Sequence, residues 1–259
     1  MVGVVRLSIL GSGSRGNCTV ISTTRTTVVV DAGFSRREIR RRMAAAGVDG
    51  PVHAILLSHE HHDHIQGLRL LAADFAVPVY ANRGTRQALG PMAERIARWE
   101  AFRGDAPFTI GDIEVTPVPV PHDAAEPVAF TFRAEGVKLG IITDLGHLTP
   151  AVRRAMQGCD GLMAEANHDL EMLKTGPYDW ALKQRVLSQV GHLSNDGLAE
   201  YLTGEFDGRA ACLVLAHLSR QNNLPALAQL AAERALAHRG YRPRLCVAPQ
   251  DAPLAPLFF

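Results

Sequence analysis

Two hydrophobic rhythms share the chain. Short runs rich in Val, Ile and Leu at Arg6–Leu10, Cys18–Ser22, Thr27–Asp31, His53–Leu57 and Val77–Ala81 predict strands. So do Ile113–Val118, Val128–Arg133, Val137–Thr143, Gly161–Glu165, Ala211–Ala216 and Leu245–Ala248. Between them, apolar positions recur at helical period over Ser35–Ala46, Ile65–Phe75, Pro150–Gln157, Trp180–Gln189, Asp196–Phe206 and Leu224–His238. Ser35 followed by Glu38 has the pattern of a capping box. Hairpins mixed with strand-helix alternation imply an α/β protein whose sheets are covered by helices on their outer faces. No repeat, low-complexity tract or long linker interrupts the pattern, so one domain over residues 1–259 is expected. The irregular stretches Ala88–Pro107 and Glu171–Asp179 are expected as loops over a site.

The loop GSGSRGN, Gly11 to Asn17, contains a GxGxxG pattern, and Asp31 stands about 20 residues beyond Gly11, where a dinucleotide fold places its ribose-binding acid. That fingerprint needs a helix opening at the third glycine. Here NCTVISTTRTTVVVDAG follows, which reads as a hairpin. The nucleotide-cofactor reading loses its mechanism, and Asp31 becomes the end of a buried strand entering a turn.

Composition adds bounds. Hydrophobic residues are 47% of 259, which suits a globular chain with a substantial core. Cys18, Cys159, Cys212 and Cys246 are scattered without a CxxC pair, as expected of reduced, buried thiols. No signal-peptide pattern or membrane-length apolar run is present, so a cytoplasmic protein without a membrane partner is expected. A net charge of +1 gives no argument for nucleic acid from bulk charge. Arg greatly outnumbers Lys, and Arg36, Arg37, Arg40 and Arg41 within Ser35–Arg42 have the spacing of a cationic strip that duplex phosphates or plain solvent would suit. Aromatic residues are only 6%, so no stacking platform for single strands is evident.

The densest chemistry follows the run HAILLS: His59, Glu60, His61, His62, Asp63 and His64. A strand end sends alternate residues to one side, so His59, His61 and Asp63 can converge while His64 turns in as a helix begins. Neutral imidazoles beside a carboxylate suit a borderline divalent cation. His62 is expected to point away, and His53, His147 and His238 have no motif support.

This HxHxDH segment resembles the signature of the metallo-β-lactamase superfamily. The remaining markers occur in order: His122 in VPHDAAEP, Asp144 in GIITDLG and His217 in VLAHLS. The resemblance implies that His59, His61 and His122 hold one ion and Asp63, His64 and His217 a second, with Asp144 between them. Two cations about 3.5–4 Å apart need a shared anionic ligand, and Asp144 ends an apolar strand where a lone carboxylate would be costly. SGSRGN, EANHD at Glu165–Asp169, GHLSND at Gly191–Asp196 and AHLSRQNN at Ala216–Asn223 further resemble the YycJ/WalJ (VicX-like) branch of MBL-fold exonucleases. That likeness implies a four-layer αββα sandwich. Only about seventy residues separate Asp144 from His217, so no inserted nucleic-acid-clamping domain is expected. The glycine loop would then lie at the rim of the metal cleft, with Ser14 and Asn17, together with Ser194, as contacts to substrate phosphate.

The implied activity is a di-metal phosphodiesterase, a 5'-to-3' DNA exonuclease using hydroxide generated between the metals. Asp63 would orient the nucleophile and take its proton. The leaving oxygen needs an acid; Glu165 and His192 resemble the Glu/His pair of tRNA-processing relatives, although capping by Glu165 and a helix start at His192 would explain both residues equally well. His168 is a weaker candidate for the same task. Zinc is the first choice of metal, with manganese or iron as alternatives. Two rival readings keep the same residues: hydrolysis of a small phosphodiester, thioester or lactone, and a noncatalytic metal-binding regulatory module. Polarity, preference for DNA over RNA and oligomeric state, a dimer included, are not readable from the residues.

Overall fold

A computed structural model of the chain describes residues 4–259, so the first three residues of the expected domain lie outside it. The first half runs β1 (Arg6–Gly11), β2 (Cys18–Ser22), β3 (Thr27–Val30), α1 (Arg36–Ala45), β4 (Ala54–Leu56), α2 (His62–Ile65), α3 (Leu68–Phe75), β5 (Val79–Ala81), α4 (Arg83–Ala88) and β6 (Trp99–Ala101). The second half runs β7 (Phe108–Ile110), β8 (Ile113–Pro119), β9 (Val128–Ala134), β10 (Val137–Ile142), α5 (Pro150–Met156), β11 (Gly161–Glu165), α6 (Leu170–Thr175), α7 (Trp180–Leu187), α8 (Asn195–Gly204), β12 (Cys212–Ala216), α9 (Pro225–His238), β13 (Arg244–Val247) and β14 (Leu257–Phe258).

The strands form two sheets, ordered β14-β1-β2-β3-β4-β5-β6 and β13-β12-β11-β10-β9-β8-β7. Each is antiparallel over its early strands and parallel thereafter, from β3 to β6 in one and β10 to β13 in the other. Period-two alternation sorts the side chains into layers. Leu7, Ile9, Val28, Val30, Ala54 and Leu56 meet Val115, Phe130, Phe132, Met163 and Val214 between the sheets. The alternate residues Leu10, Val29, Ile55 and Leu57 turn outward onto Ile39 and Met43 of α1 and Leu68 and Leu71 of α3. Leu213 and Leu215 turn outward in the other sheet, onto α5, α8 and α9. These three cores make a four-layer αββα sandwich, at about 1.5–3 kcal/mol for each fully buried Val, Leu, Ile or Phe. No helix of the described residues is long and apolar enough to cross a membrane.

Several expectations are corrected. The helix expected over Ile65–Phe75 starts only at Leu68, as α3, with Ile65 ending α2; Gly67 between them passes close to Phe34, where a Cβ would lie 2.2 Å from the carbonyl oxygen. Ser35 caps α1 by accepting from the Glu38 amide at 3.3 Å, but the Glu38 carboxylate binds Arg41 and Arg42 rather than completing a box. The stretch Ala88–Pro107 is not a loop over the site: it carries a 3-10 turn and β6, and Leu89, Ile96 and Phe102 are buried. The cationic strip is partly paired, with Arg36 and Arg40 sharing Asp74, Arg41 facing Glu38 and Arg42 buried, while Arg37 is exposed. Asp74 lies on α3, a packing partner that helical spacing within α1 cannot reveal.

Candidate functional site

The chemistry gathers at one end of the sandwich, beyond the carboxyl ends of parallel strands from both sheets. Asp31 follows β3, His59 follows β4, Asp144 follows β10 and His217 follows β12. Asp31, Asp144 and His217 have left-handed backbones, with φ of 60°, 61° and 55°. Such conformations cost on the order of 1–3 kcal/mol each in a non-glycine residue and persist only where surroundings enforce them. Each turns the chain sharply at a strand end, so that Asp144 and His217 line the cleft and Asp31 lies behind His64.

The seven expected ligands are brought together. One set of nearby donor atoms comes from His59, His61 and His122; another from Asp63, His64 and His217; and His59, His64 and Asp144 join the two. Each imidazole is oriented by its outer nitrogen. His64 Nδ1 donates to Asp31 Oδ2 at 2.8 Å. His59 Nδ1 donates to Ser58 Oγ at 2.9 Å, and that hydroxyl donates to the same Asp31 oxygen at 2.8 Å. His122 Nδ1 donates to the Gly191 carbonyl at 3.1 Å and His61 Nε2 to the Asp123 carbonyl at 3.2 Å. His217 Nδ1 lies 3.3 Å from Glu165 Oε1. Tethers of this kind fix tautomer and ring direction for metal binding.

The inner atoms are those left over. His59 Nε2, His217 Nε2 and Asp144 Oδ2 are buried without a hydrogen-bond partner. Stranding such atoms away from water costs about 1–3 kcal/mol each. His217 Nε2 lies 3.2 Å from Asp144 Oδ1 and 3.4 Å from Asp63 Oδ2, while His64 Nε2 lies 3.5 Å from Asp144 Oδ2. Convergent unpaired nitrogens and carboxylate oxygens are the donor set of a divalent cation of borderline softness, so these residues fit divalent metal.

Electrostatics agree. Burial drives the His59 imidazole well below its ordinary range, with His64 adding to the effect, and burial lowers His122 as well. Both rings therefore carry free lone pairs at neutral pH. Burial also opposes charge on His64 and His217, yet the facing carboxylates, Asp144 foremost, outweigh it and hold both above their usual value. Burial alone would raise Asp144; His217 and His64 overcome it and hold that carboxyl well below the carboxylate range. Protons and cations compete for the same positions here.

Glu165 is fully buried. Its Oε1 accepts from His192 Nδ1 at 2.7 Å, and its Oε2 accepts the amides of Leu145 at 3.0 Å and Leu193 at 3.3 Å. Burial raises its pKa, but His192 and His217 outweigh that and bring it to about 2. Glu165 thus holds two imidazoles from behind. His192 is half-buried and lines the cleft. His62, His53 and His238 are exposed, and His147, half-buried, donates its Nδ1 proton to the Gln189 carbonyl. His168 is buried, and it too lies apart from the lining of the metal cleft.

The three expected phosphate contacts differ. Ser14 is exposed and lines the cleft. Asn17 is buried: its Oδ1 accepts from Gly13 N and Ser12 Oγ, and its Nδ2 reaches Asp63 Oδ2 at 3.2 Å, so its polar atoms serve the loop and the site. Ser194 Oγ caps α8, accepting from Gly197 N at 3.0 Å. The loop amides of Ser12, Gly13, Arg15 and Gly16 are likewise taken by Pro249, Asn17, Gln250 and Gly13. Its glycines answer to crowding, since a Cβ at Gly16 would lie 2.5 Å from the Gly33 carbonyl oxygen at a φ of +156°.

Sequence reading missed the supporting residues: Asp31 and Ser58 behind two histidines, Asn167 beside His217, and Tyr178, Leu182 and Arg185 on the cleft wall. For Asp31 a signal existed, a carboxylate ending an otherwise apolar strand as Asp144 does. The wall residues carry no pattern of their own.

Residues 26–238 match the family model described as a beta-lactamase superfamily domain. The exodeoxyribonuclease YycJ of Bacillus anthracis is 37% identical over 92% of this chain and 91% of its own length. The exodeoxyribonuclease WalJ of Streptococcus pneumoniae serotype 2 is 36% identical over 90% of this chain and 88% of its own. Among solved structures, the metallo-beta-lactamase fold protein YhfI from Bacillus subtilis superposes with a TM-score of 0.72 at 16% identity, covering 97% of this chain and 99% of that one. Zn(2+)-bound PqqB from Methylobacterium extorquens gives 0.71 at 18% identity, covering 96% and 99%. At such identities the structural likeness speaks for the fold.

Proposed function

The chain belongs to the beta-lactamase superfamily, as a metallo-β-lactamase-fold hydrolase, and on that premise we propose that it is a di-metal DNA exonuclease working from 5' ends. The observation that carries the reading is the convergence of unpartnered donors, His59 Nε2, His217 Nε2 and Asp144 Oδ2, inside a ring of outer tethers. His59, His61 and His122 would hold one cation, Asp63, His64 and His217 the other, and Asp144 both. Bound there, two divalent cations supply Lewis acidity at a phosphoryl group and make water acidic enough to ionise near neutral pH. Zinc is the first candidate, with manganese and iron next, because availability governs occupancy of His/Asp sites.

The chain's own residues do the rest. Asp63, held by Asn17 Nδ2, orients the attacking water and takes its proton. His192 carries the proton for the leaving oxygen on Nε2, because Glu165 Oε1 engages Nδ1 and fixes the ring. Glu165 is a positioning residue here, as its burial requires. The whole chain acts as one catalytic domain, a reading supported by the continuous core between the two sheets. The four free cysteines accord with a cytoplasmic setting.

The test is hydrolysis of a 5'-labelled nicked duplex beside a panel of small phosphodiesters, thioesters and lactones, with elemental analysis of the purified protein. Duplex degradation is expected, abolished by chelation and restored by zinc or manganese. Turnover confined to the small esters, or full nuclease activity in the stripped protein, refutes the proposal.

A further inference from the structure

Three candidate phosphate contacts leave the cleft short of cations. Ser14 offers a neutral hydroxyl, Asn17 is committed to Asp63 and the loop, and Ser194 is committed to capping. The cleft carries Asp63 and Asp144 on its lining, with Asp123 at its rim and Glu165 behind. Among the described residues that line it, Arg185 is the one Lys or Arg. A nucleic-acid strand brings a charge at every phosphate, whereas the metal ligands can serve only the phosphate under attack.

Arg185 is well placed for the next. Leu182, Arg185 and Val186 fall on one face of α7, the face turned to the cleft. The end of that helix is tied to the proposed acid, because the His192 amide donates to the Val186 carbonyl at 3.0 Å. Gly191 permits this approach, since a Cβ there would lie 2.2 Å from Val186 O and 2.3 Å from Arg185 O. The Arg185 side chain is 52% exposed, and its Nε donates to Asp123 Oδ2 at 2.5 Å. The carboxylate oxygen on the guanidinium occupies a place that a phosphate oxygen could take, and the remaining N–H donors of the fork are open to a second one. Releasing it would not strand Asp123, whose side chain is 28% exposed and open to water.

We propose that Arg185 binds a phosphate of the substrate strand beside the one being cleaved, exchanging Asp123 for it when substrate enters. This rests on the nuclease reading above. A planar fork matters as well as charge, so lysine is an incomplete substitute.

Steady-state kinetics on duplex DNA with the metal-loaded full chain, across a salt series, test it. Arg185→Ala should raise KM about 10- to 100-fold, the value of a charge-assisted hydrogen bond or two, with kcat within about threefold. The slope of log KM against log salt should fall by about 0.9, one phosphate contact. Arg185→Lys should keep the slope and recover part of KM. Metal content should match wild type in both. An Arg185→Ala protein with wild-type KM and slope overturns the assignment, and so does a raised KM with an unchanged slope or with lost metal, which marks a structural role. Wild-type protein that leaves DNA intact sinks the nuclease reading, and this inference with it; that result is distinct from a wild type that cuts and a variant that matches it.

Discussion

His192 shows how far a single residue can be argued. Its Nδ1 is committed to Glu165 at 2.7 Å, so whatever it does for a substrate it does through Nε2. A general acid matters in proportion to how badly the leaving group needs a proton. His192→Ala should therefore lower kcat on DNA by about 10²–10⁴-fold, the usual worth of proton transfer. On the p-nitrophenyl ester of thymidine 5'-phosphate, whose leaving group departs as a stabilised anion, the loss should shrink to about tenfold or less. Equal losses on both substrates would assign His192 to holding the site together. The candidate ligands were legible in the sequence because HxHxDH packs four of them into one strand-end turn. Asp31 was legible only as a carboxylate ending an apolar strand: its task depends on meeting His64 and Ser58, and no local pattern encodes that meeting.

At the scale of an element, α1 looked from its sequence like a charged, solvated face, and half of that is correct. Ile39 and Met43 bury toward the sheet as the helical period predicts, yet Arg42 is buried with them. Its guanidinium stacks over Phe34 at 4.0 Å and donates to the carbonyls of Leu10 at 2.9 Å and Gln250 at 2.8 Å. The arginine thus joins the first strand to the C-terminal segment, a contact between residues too distant in sequence for periodicity to suggest. Glu38 completes it. Hydrogen bonding from Arg41, with Arg42 adding to it against some desolvation, lowers the Glu38 carboxyl from 4.5 to about 2. A folded pKa below the unfolded one adds stability above pH 4.5 that is lost as pH falls toward 2. The pair is partly solvated, so the gain at neutral pH should be about 1 kcal/mol. Urea denaturation of wild type and Glu38→Gln should show that gap at pH 7 and its closure between pH 4.5 and 2. Parallel stability curves over that range would refute the assignment.

Across the whole molecule, the two sheets meet in one apolar core but contribute separately to the site. His59, His61, Asp63 and His64 extend from the sheet containing β4; His122, Asp144 and His217 follow β8, β10 and β12 of the other. The sequence showed most of these strands but not their order: β14 returns from the far end of the chain to pair Leu257 with Leu7 at the sheet edge, a meeting no local pattern announces. Cations held between the halves would bind only the folded chain, since no unfolded segment gathers ligands from both. Mass action then stabilises the fold by about 4 kcal/mol when free metal is 1,000-fold above its dissociation constant. For a chain of this size each kcal/mol moves Tm by about 2–4 °C, so chelation should lower Tm by about 8–16 °C. Metal return should restore it, and Asp144→Ala should blunt the response, because its carboxylate faces ligands from both sheets. If elemental analysis shows the metal gone while the melting curve stays in place, the cations do not bridge the sheets. Their ligands would then sit in a frame that apolar packing had already completed.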